Sequence, residues 1–394
     1  MTRRPGAAVA AALLLFGSAA PVAAQSILSS RGLGYPLEPL DARAQGLGGV
    51  TVGLGGPHLS LVNPAAPVGI VAPGLLVTVQ PDAYDATAGA VATDGSTVRF
   101  PLLMAAFPLG SRFTGSVGYG SFLDQSWQVT SEDSLDLPGT GERVGVRDRF
   151  VSDGGVARFR LGAGARLLEG LSVGLAADLF TGAANDTSRR DVDSLFSAVS
   201  ATTFRYRGVG VAAGVQWSPN AALTVGAALA GGGKLNAEAD TGDAATQEKS
   251  YSMPLRVDLG ASARVTQNTV LALSGTWTGW SALDEDLSDR AGGAQDAFRV
   301  AGGIEYEGFT VARRVLPLRV GGRFERLPFR WGERGDDAAF PDERAVSAGL
   351  GARLAGGAAR LDLAGERGWR GGGGDAVVDE SFWRVSLTMS LLGR

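Results

Sequence analysis

The pattern that most constrains this chain is a repeated alternation of apolar and polar residues in short segments. In residues 158–167 apolar side chains occupy every second position, and arginine or glycine fills the positions between them. The three residues 168–170 then lead into a second alternating segment, residues 171–180. Side chains of a β-strand point alternately to opposite faces, so each such strand separates two different environments. Alternating strands whose joints are short at one end and long at the other are typical of an outer-membrane β-barrel.

Reading the whole chain in this way predicts fourteen strands, an even number, as bacterial single-chain barrels require. The predicted strands are 74–82, 97–108, 112–124, 149–166, 171–181, 203–217, 222–233, 249–264, 269–280, 296–306, 316–327, 342–354, 358–368 and 380–391. We therefore predict an all-β fold in which residues 74–394 form a 14-stranded antiparallel transmembrane β-barrel, with an N-terminal hatch or plug.

The joints and the two strand faces predict an orientation. Long joints carry acidic clusters, for example at residues 131–136 and 284–289. Short turns face the periplasm in such barrels, so fourteen strands place both termini there and the long loops outside. The apolar face of each strand is expected to contact lipid, because a charge at the bilayer midplane costs about 2–4 kcal/mol. Four tryptophans near predicted strand ends suggest an interfacial girdle, although core aromatics of a soluble sandwich would show the same pattern: Trp217, Trp277, Trp280 and Trp383.

Residues 1–24 have the features of a secretory signal peptide. Arg3 and Arg4 precede an apolar run, residues 7–16, and small residues precede Gln25. The run is too short for a membrane-spanning helix, which needs about 20 apolar residues. We therefore expect export to the outer membrane of a Gram-negative-type cell.

Composition excludes several classes of function. The chain has no cysteine, so it has neither a disulfide framework nor thiolate chemistry. Its formal net charge of −4 argues against a nucleic-acid partner, which requires a basic surface. No residue pattern predicts a catalytic site, a metal site or a cofactor. The single histidine, His58, follows Gly56 and Pro57, where a turn residue is a simpler explanation than a catalytic base.

Residues 25–73 differ in texture from the rest of the chain. They are rich in glycine and proline, and they alternate poorly. We interpret this segment as a compact hatch packed inside the barrel. A flexible periplasmic leader is the alternative.

One part of this segment resembles the N-terminal motif of the FadL-like outer-membrane transporters, the OMPP1/FadL/TodX superfamily. The matching residues are Ala42, Arg43, Ala44, Gly46, Leu47, Gly48, Gly49, Val50, Asn63, Pro64 and Ala65. The resemblance implies a fourteen-stranded barrel whose hatch blocks the lumen, with hydrophobic substrates leaving sideways through an opening in the wall. Two features depart from the family: Gly53, Gly55, Gly56 and Pro57 stand where acidic residues are common, and the chain does not end in an aromatic residue.

The hatch supplies the candidate ligand-binding residues. Those singled out are Arg43, Leu47, Val50, Leu54, Leu61 and Asn63, beside the motif residues Gly46, Gly48, Gly49, Asn63, Pro64 and Ala65. The apolar members either line a pocket for a hydrophobic ligand or pack the hatch against the wall. Arg43 either orients a substrate carboxylate or clamps the hatch to a wall carboxylate such as Asp258 or Glu325.

We therefore predict a non-enzymatic channel for passive uptake of hydrophobic small molecules, such as long-chain fatty acids, by hatch-gated lateral diffusion. The expected partners are outer-membrane lipid and lipopolysaccharide, the substrate, and the barrel assembly machinery. The alternative function is a non-transporting scaffold or shuttle for protein secretion or surface attachment. A general porin for polar solutes is a third possibility, disfavoured because the N-terminal segment is long enough to fill the lumen.

Overall fold

The structure is a computed structural model of the 394-residue chain. It describes residues 26–56, 58–88, 91–136, 143–193, 195–240, 247–287, 293–311, 314–331, 340–372 and 378–392. The predicted signal peptide lies outside these residues.

Strands dominate the described part of the chain. In chain order they are β1 (Tyr35–Pro36), β2 (Gly74–Ala88), β3 (Val91–Leu109), β4 (Phe113–Asp124), β5 (Trp127–Asp136), β6 (Arg143–Leu168), β7 (Leu171–Val192), β8 (Phe196–Asn220), β9 (Leu223–Asp240), β10 (Gln247–Ser252), β11 (Arg256–Arg264), β12 (Thr269–Thr278), β13 (Ala297–Tyr306), β14 (Thr310–Val311), β15 (Arg314–Val315), β16 (Leu318–Arg326), β17 (Asp342–Leu354), β18 (Ala359–Gly372) and β19 (Val378–Leu392).

The strands form a closed barrel of fourteen antiparallel staves within the described residues. β4 and β5 together form one bent stave against β6, and β10 and β11 together form another against β9. β19 pairs with β2 and closes the ring. β14 and β15 form a separate two-stranded hairpin. The predicted 14-stranded antiparallel barrel is confirmed.

The predicted division into two faces is also confirmed. In β19, Trp383 and Val385 are exposed, whereas Arg384 and Ser386 are buried. Charged residues of the inward face meet across strands: Arg319 of β16 donates to Glu305 of β13 and to Asp362 of β18. Opposite charges therefore neutralise one another on the inner side of the wall.

Several expectations about strand ends are wrong. Residues 131–136, predicted in a long joint, belong to β5. Residues 182–202, predicted as a long joint, belong mostly to β7 and β8, which extend far beyond their neighbours. Polar residues occupy both faces there, so the apolar alternation fades although the backbone still pairs. Trp280, predicted in the girdle, is 3% exposed in a 3-10 helix, Trp280–Leu283, where the chain turns inward after β12. Trp217, Trp277 and Trp383 are exposed on the barrel.

Residues 26–73, called here the N-terminal segment, pack against the inward face of the wall. They include two 3-10 helices, Ile27–Ser30 and Ala66–Gly69, the short strand β1 and one helix, α1 (Ala42–Gly46). α1 contacts β16, β17, β18 and β19, whereas the second 3-10 helix contacts β4, β6, β7 and β8. No helix among the described residues is long and apolar enough to cross a membrane.

Candidate functional site

α1 carries the arginine of the N-terminal motif. Asp41 caps the helix, since its side chain accepts a hydrogen bond from the Ala44 N–H. Arg43 donates to both carboxylate oxygens of Glu305, at 3.1 and 2.8 Å, and to the Gly55 carbonyl. Arg43 therefore joins the segment to a wall carboxylate, and that carboxylate belongs to Glu305 instead of Asp258 or Glu325.

His58 lies beside the capping residue of this helix. Its Nδ1 is 3.6 Å from the carboxylate of Asp41. Burial is the largest influence on the imidazole and lowers the pKa of His58. His58 is therefore packed beside the N-terminus of α1.

The motif glycines permit a close approach to the wall. Gly48 and Gly49 have φ angles of 80° and 87°, a conformation that favours glycine. A β-carbon on Gly48 would lie 2.3 Å from the carbonyl oxygen of Gly322. A β-carbon on Gly49 would meet the guanidinium of Arg299. The backbone of the turn after α1 thus packs directly against the backbone of the barrel wall.

The predicted apolar ligand residues separate into two packed clusters. Leu47, Val50 and Leu54 belong to one cluster and are at most 2% exposed, while Leu61 belongs to another. The structure therefore does not bring all four together around one space.

The second half of the motif is a turn held against the wall. The Asn63 side chain accepts a hydrogen bond from the Ala65 N–H and donates one to the Val215 carbonyl. Pro64 lies where a β-carbon on Gly174 would be, and Gly46 similarly faces Gly349. These residues hold the N-terminal segment against the wall.

Several buried polar contacts join the segment to β13 and β16–β19. Ser26 donates to both oxygens of Glu380, and the Tyr35 hydroxyl donates to Glu343. Arg43 and Arg319 share Glu305. We call this interface with β13 and β16–β19 the anchored side.

The wall pairing is interrupted on another side. β3 pairs with β4 from Leu109↔Phe113 to Leu102↔Gly120. Beyond Gly120, β4 turns to β1, whose residues Tyr35 and Pro36 pair with its last two residues. β3 next meets this bent stave where the Thr93 hydroxyl lies 3.5 Å from the Gln128 carbonyl. Between these points, no β3–β4 or β3–β5 backbone pairing exists in the described residues 94–101 and 121–127, and we call this interval the wall gap.

A small cavity lies inside the barrel next to the wall gap. Its volume is about 60 Å³. Apolar side chains line one part of it: Leu37, Pro39, Phe122, Phe180, Met253 and Trp280. Phe122 belongs to the bent stave itself, and the Leu37 N–H donates to the Phe122 carbonyl. The cavity and the gap are therefore lined by the same short stretch of the N-terminal segment.

Two buried arginines face this cavity. Arg158 is 6% exposed and, among the described residues, its guanidinium makes no hydrogen bond or ion pair. Arg299 is 5% exposed and only approaches Glu325 at 3.8 Å and Glu38 at 3.9 Å. The neighbouring Arg160 is instead saturated by Asp178 and by two carbonyls of the N-terminal segment. A buried charge without a partner is costly unless a ligand completes it.

Sequence reasoning missed this cavity because its residues come from distant strands. Arg158 and Arg160 are two residues apart, so the alternation places both on the inward face of β6. A count of inward charges on the neighbouring strand would have shown one carboxylate, Asp178, for two arginines. That imbalance was the available signal.

The family model described as BamG matches residues 1–394, the whole chain. The chain belongs to the BamG family. No curated protein matches it.

Solved structures similar to this BamG-family protein share its fold. A FadL homologue from Pseudomonas aeruginosa has a TM-score of 0.63 at 14% identity, covering 91% of this chain and 99% of that one. The Ralstonia pickettii toluene transporter TbuX has a TM-score of 0.59 at 13% identity, covering 90% and 98%. The Pseudomonas putida toluene transporter TodX has a TM-score of 0.55 at 14% identity, covering 91% and 99%. The predicted FadL-like resemblance is confirmed at the level of the fold, that of an outer-membrane barrel.

Proposed function

We propose that this protein is a passive outer-membrane channel for hydrophobic small molecules that carry an anionic head, such as long-chain fatty acids. The N-terminal segment acts as a hatch, and the substrate leaves the barrel sideways through the wall gap. No covalent step is required, because binding, a shift of the segment and diffusion suffice. Arg43, Asn63 and the motif glycines hold the hatch to the wall in this account.

The observation that carries the proposal is the coincidence of the gap with the cavity. Unpaired backbone groups do not persist in a membrane wall facing lipid unless other protein covers them. Here β1 supplies the partners that β3 does not. If residues 35–39 withdraw, the cavity gains a direct path between β3 and the bent stave.

The size of the cavity requires such a movement. A cavity of about 60 Å³ accommodates only a few water molecules. A fatty-acid chain needs several times this space. In this proposal the structure corresponds to a closed state, and the hatch shifts before a substrate enters.

The unpaired arginine supports an anionic head. Arg guanidinium groups bind carboxylates through paired, charge-assisted hydrogen bonds. Arg158 offers its donors next to the aromatic rings of Phe122 and Phe180, which suit an alkyl chain. An apolar pocket with a few placed polar groups is the usual form of a small-molecule site.

Uptake into proteoliposomes tests this proposal. Purified protein is reconstituted, and the entry of a fluorescent long-chain fatty acid is compared with that of the alcohol of equal length. We expect Arg158→Met to slow fatty-acid entry about tenfold, since a charge-assisted bond contributes about 1.5–3 kcal/mol, and to leave alcohol entry unchanged. Arg112→Gln, in an exposed turn, is the control. Absence of fatty-acid uptake by the unmodified protein contradicts the proposal.

A second candidate function is a scaffold for other outer-membrane proteins. The name of the family, BamG, points to the barrel assembly machinery. Apolar side chains are also exposed at the long-joint end of the barrel, among them Leu195, Phe196 and Val199. A non-transporting scaffold predicts no uptake by wild type, and it predicts that the Phe196→Ser/Val199→Ser double variant loses co-purifying outer-membrane proteins. A channel predicts that wild type and the double variant take up substrate equally.

A further inference from the structure

Arginine and aromatic side chains alternate on the outward face of five neighbouring strands, β13 and β16–β19, at their long-joint ends. We call this set the outer arginine girdle: Phe298, Phe324, Arg326, Arg344, Arg367, Trp369 and Trp383. The apolar outward residues of the same strands lie on its short-joint side, for example Val346 and Leu350 of β17. The girdle therefore lies at the edge of the lipid-facing belt, where aromatic residues meet the headgroups.

The strand register brings the arginines and rings together. Arg326 is opposite Phe298, and Arg344 is opposite both Phe324 and Trp369. Arg367 is opposite Trp383. Each guanidinium also lies over a ring, at 5.2 Å for Arg326 on Phe298 and 5.1 Å for Arg367 on Trp383. The aliphatic and ring surfaces hold these cations in fixed positions on the barrel.

Among the described residues, carboxylates neutralise the cations of the girdle only in part. Within the described residues Arg344 makes no ion pair, and Arg367 donates only to the hydroxyl of Ser381. Arg326 approaches Asp342 at 3.6 Å, and both side chains are partly exposed. This contrasts with the inward face, where Arg323 and Arg370 each contact two carboxylates.

Strands β11 and β12 show that outward-facing charges are not needed to form the wall. The outward residues of β11 and β12 are Val257, Leu259, Ala261, Ala263, Leu271, Leu273, Gly275 and Trp277, and none is charged. Charges are costly within the hydrocarbon, whereas arginines at its edge extend to the lipid headgroups. The girdle therefore calls for an anion supplied by the surrounding lipid.

We infer that the outer arginine girdle binds the phosphate groups of a saccharide lipid of the lipid A type in the outer leaflet. Long joints face outward in barrels of this class, so the girdle lies at the leaflet that carries such lipids. Arginine binds phosphate through paired hydrogen bonds, and the adjacent rings contact the first carbons of the acyl chains. Arg344 and Arg367 are the principal phosphate ligands, because they lack carboxylate partners among the described residues.

Lipid binding to the purified full-length protein in detergent tests the inference. The probes are hexa-acyl lipid A with its two phosphates, the same lipid after removal of the phosphates, and phosphatidylglycerol. We expect wild-type protein to bind the phosphorylated lipid at least tenfold more tightly than either of the other two. Equal binding of the phosphorylated and dephosphorylated lipids overturns the inference, and equal binding of phosphatidylglycerol overturns the assignment to a saccharide lipid.

Variants then locate the site. Arg344→Gln with Arg367→Gln is expected to weaken binding of the phosphorylated lipid at least tenfold, whereas Arg112→Gln at the short-joint end leaves it unchanged. Unchanged binding by the double variant places the lipid elsewhere and overturns the inference. Thermal stabilisation of wild-type protein by the phosphorylated lipid, absent with the dephosphorylated one, gives a measurement that does not depend on folding of the variants. Loss of that difference also contradicts the inference.

Discussion

The N-terminal segment meets the barrel through two unlike interfaces. On the anchored side, the buried Arg43 and Glu305 form an ion pair, and Ser26 binds Glu380. At the bent stave β4–β5, the described contacts are hydrogen bonds such as Ser29 to Asp124 and two residue pairs of β1. Breaking a buried ion pair costs about 3–5 kcal/mol, whereas a hydrogen bond contributes about 0.5–1.5 kcal/mol between neutral groups and about 1.5–3 kcal/mol when one partner is charged.

In the proposed movement of the segment, this difference makes the anchored side the hinge and the contact with the bent stave the gate. A segment that is held strongly at one side and weakly at the other moves first at the weak side. The weak side is also where the wall gap and the cavity lie. We propose that gating displaces the residues around β1 while α1 stays in place. This displacement also breaks the hydrogen bond of Tyr35 to Glu343 and the ion pair of Glu38 with Arg256.

The largest expected effect comes from the anchored side. Glu305→Gln removes the carboxylate that two buried arginines share, so we expect the free energy of unfolding to fall by about 3–5 kcal/mol. Urea unfolding of the protein folded into lipid vesicles measures it. Glu307→Gln is the matched control, because Glu307 also pairs with two arginines, Arg264 and Arg353, but at a partly exposed position. There we expect a change of about 0–1 kcal/mol, and equal losses in both variants would refute the distinction between the two environments.

Glycine substitutions compare the packing of the two sides. A β-carbon on Gly321 would lie 2.2 Å from the backbone nitrogen of Gly48, whereas one on Gly120 would meet the side chains of Leu61 and Pro39. Overpacking costs about 1–3 kcal/mol, and backbone yields less than side chains. We therefore expect Gly321→Ala to destabilise by about 3 kcal/mol and Gly120→Ala by about 1 kcal/mol. The same unfolding assay measures both, with Gly365→Ala, which meets nothing within 4 Å, as the control; a larger loss at Gly120 would reverse the order we expect.

The smallest expected effect has the opposite sign. Arg158 is a buried charge without a partner among the described residues, so replacing it with methionine removes a desolvation penalty. We expect Arg158→Met to raise the free energy of unfolding by about 1 kcal/mol. A gain in stability together with slower fatty-acid uptake indicates a binding residue. A loss of stability instead indicates a structural role for Arg158.

Local patterns predicted the barrel well because each strand carries its own signal. The alternation in residues 342–354 gives the bounds of β17 without change. Contacts between distant parts of the chain could not be predicted from local patterns. Examples are the pairing of Arg43 with Glu305 and the cavity, which is lined by residues of β1, β6, β11 and β13. The break after Gly120 was also hidden, because residues on both sides of it still alternate. Pairing between strands, unlike the strand itself, is a property of the assembled ring.

The central claim is that release of β1 from β4 opens the path through the wall. The chain has no cysteine, so a disulfide between Pro36→Cys and Leu123→Cys, which are paired Cα partners, closes that contact cleanly. A disulfide between Gly46→Cys and Gly349→Cys fixes α1 on the anchored side, where a β-carbon on Gly46 lies 3.3 Å from Gly349 Cα.

Fatty-acid uptake by oxidised and reduced proteoliposomes is the deciding measurement. We predict that the oxidised Pro36–Leu123 variant takes up no fatty acid, that reduction restores uptake, and that the oxidised Gly46–Gly349 variant transports normally. Undiminished uptake by the oxidised Pro36–Leu123 variant would contradict the account.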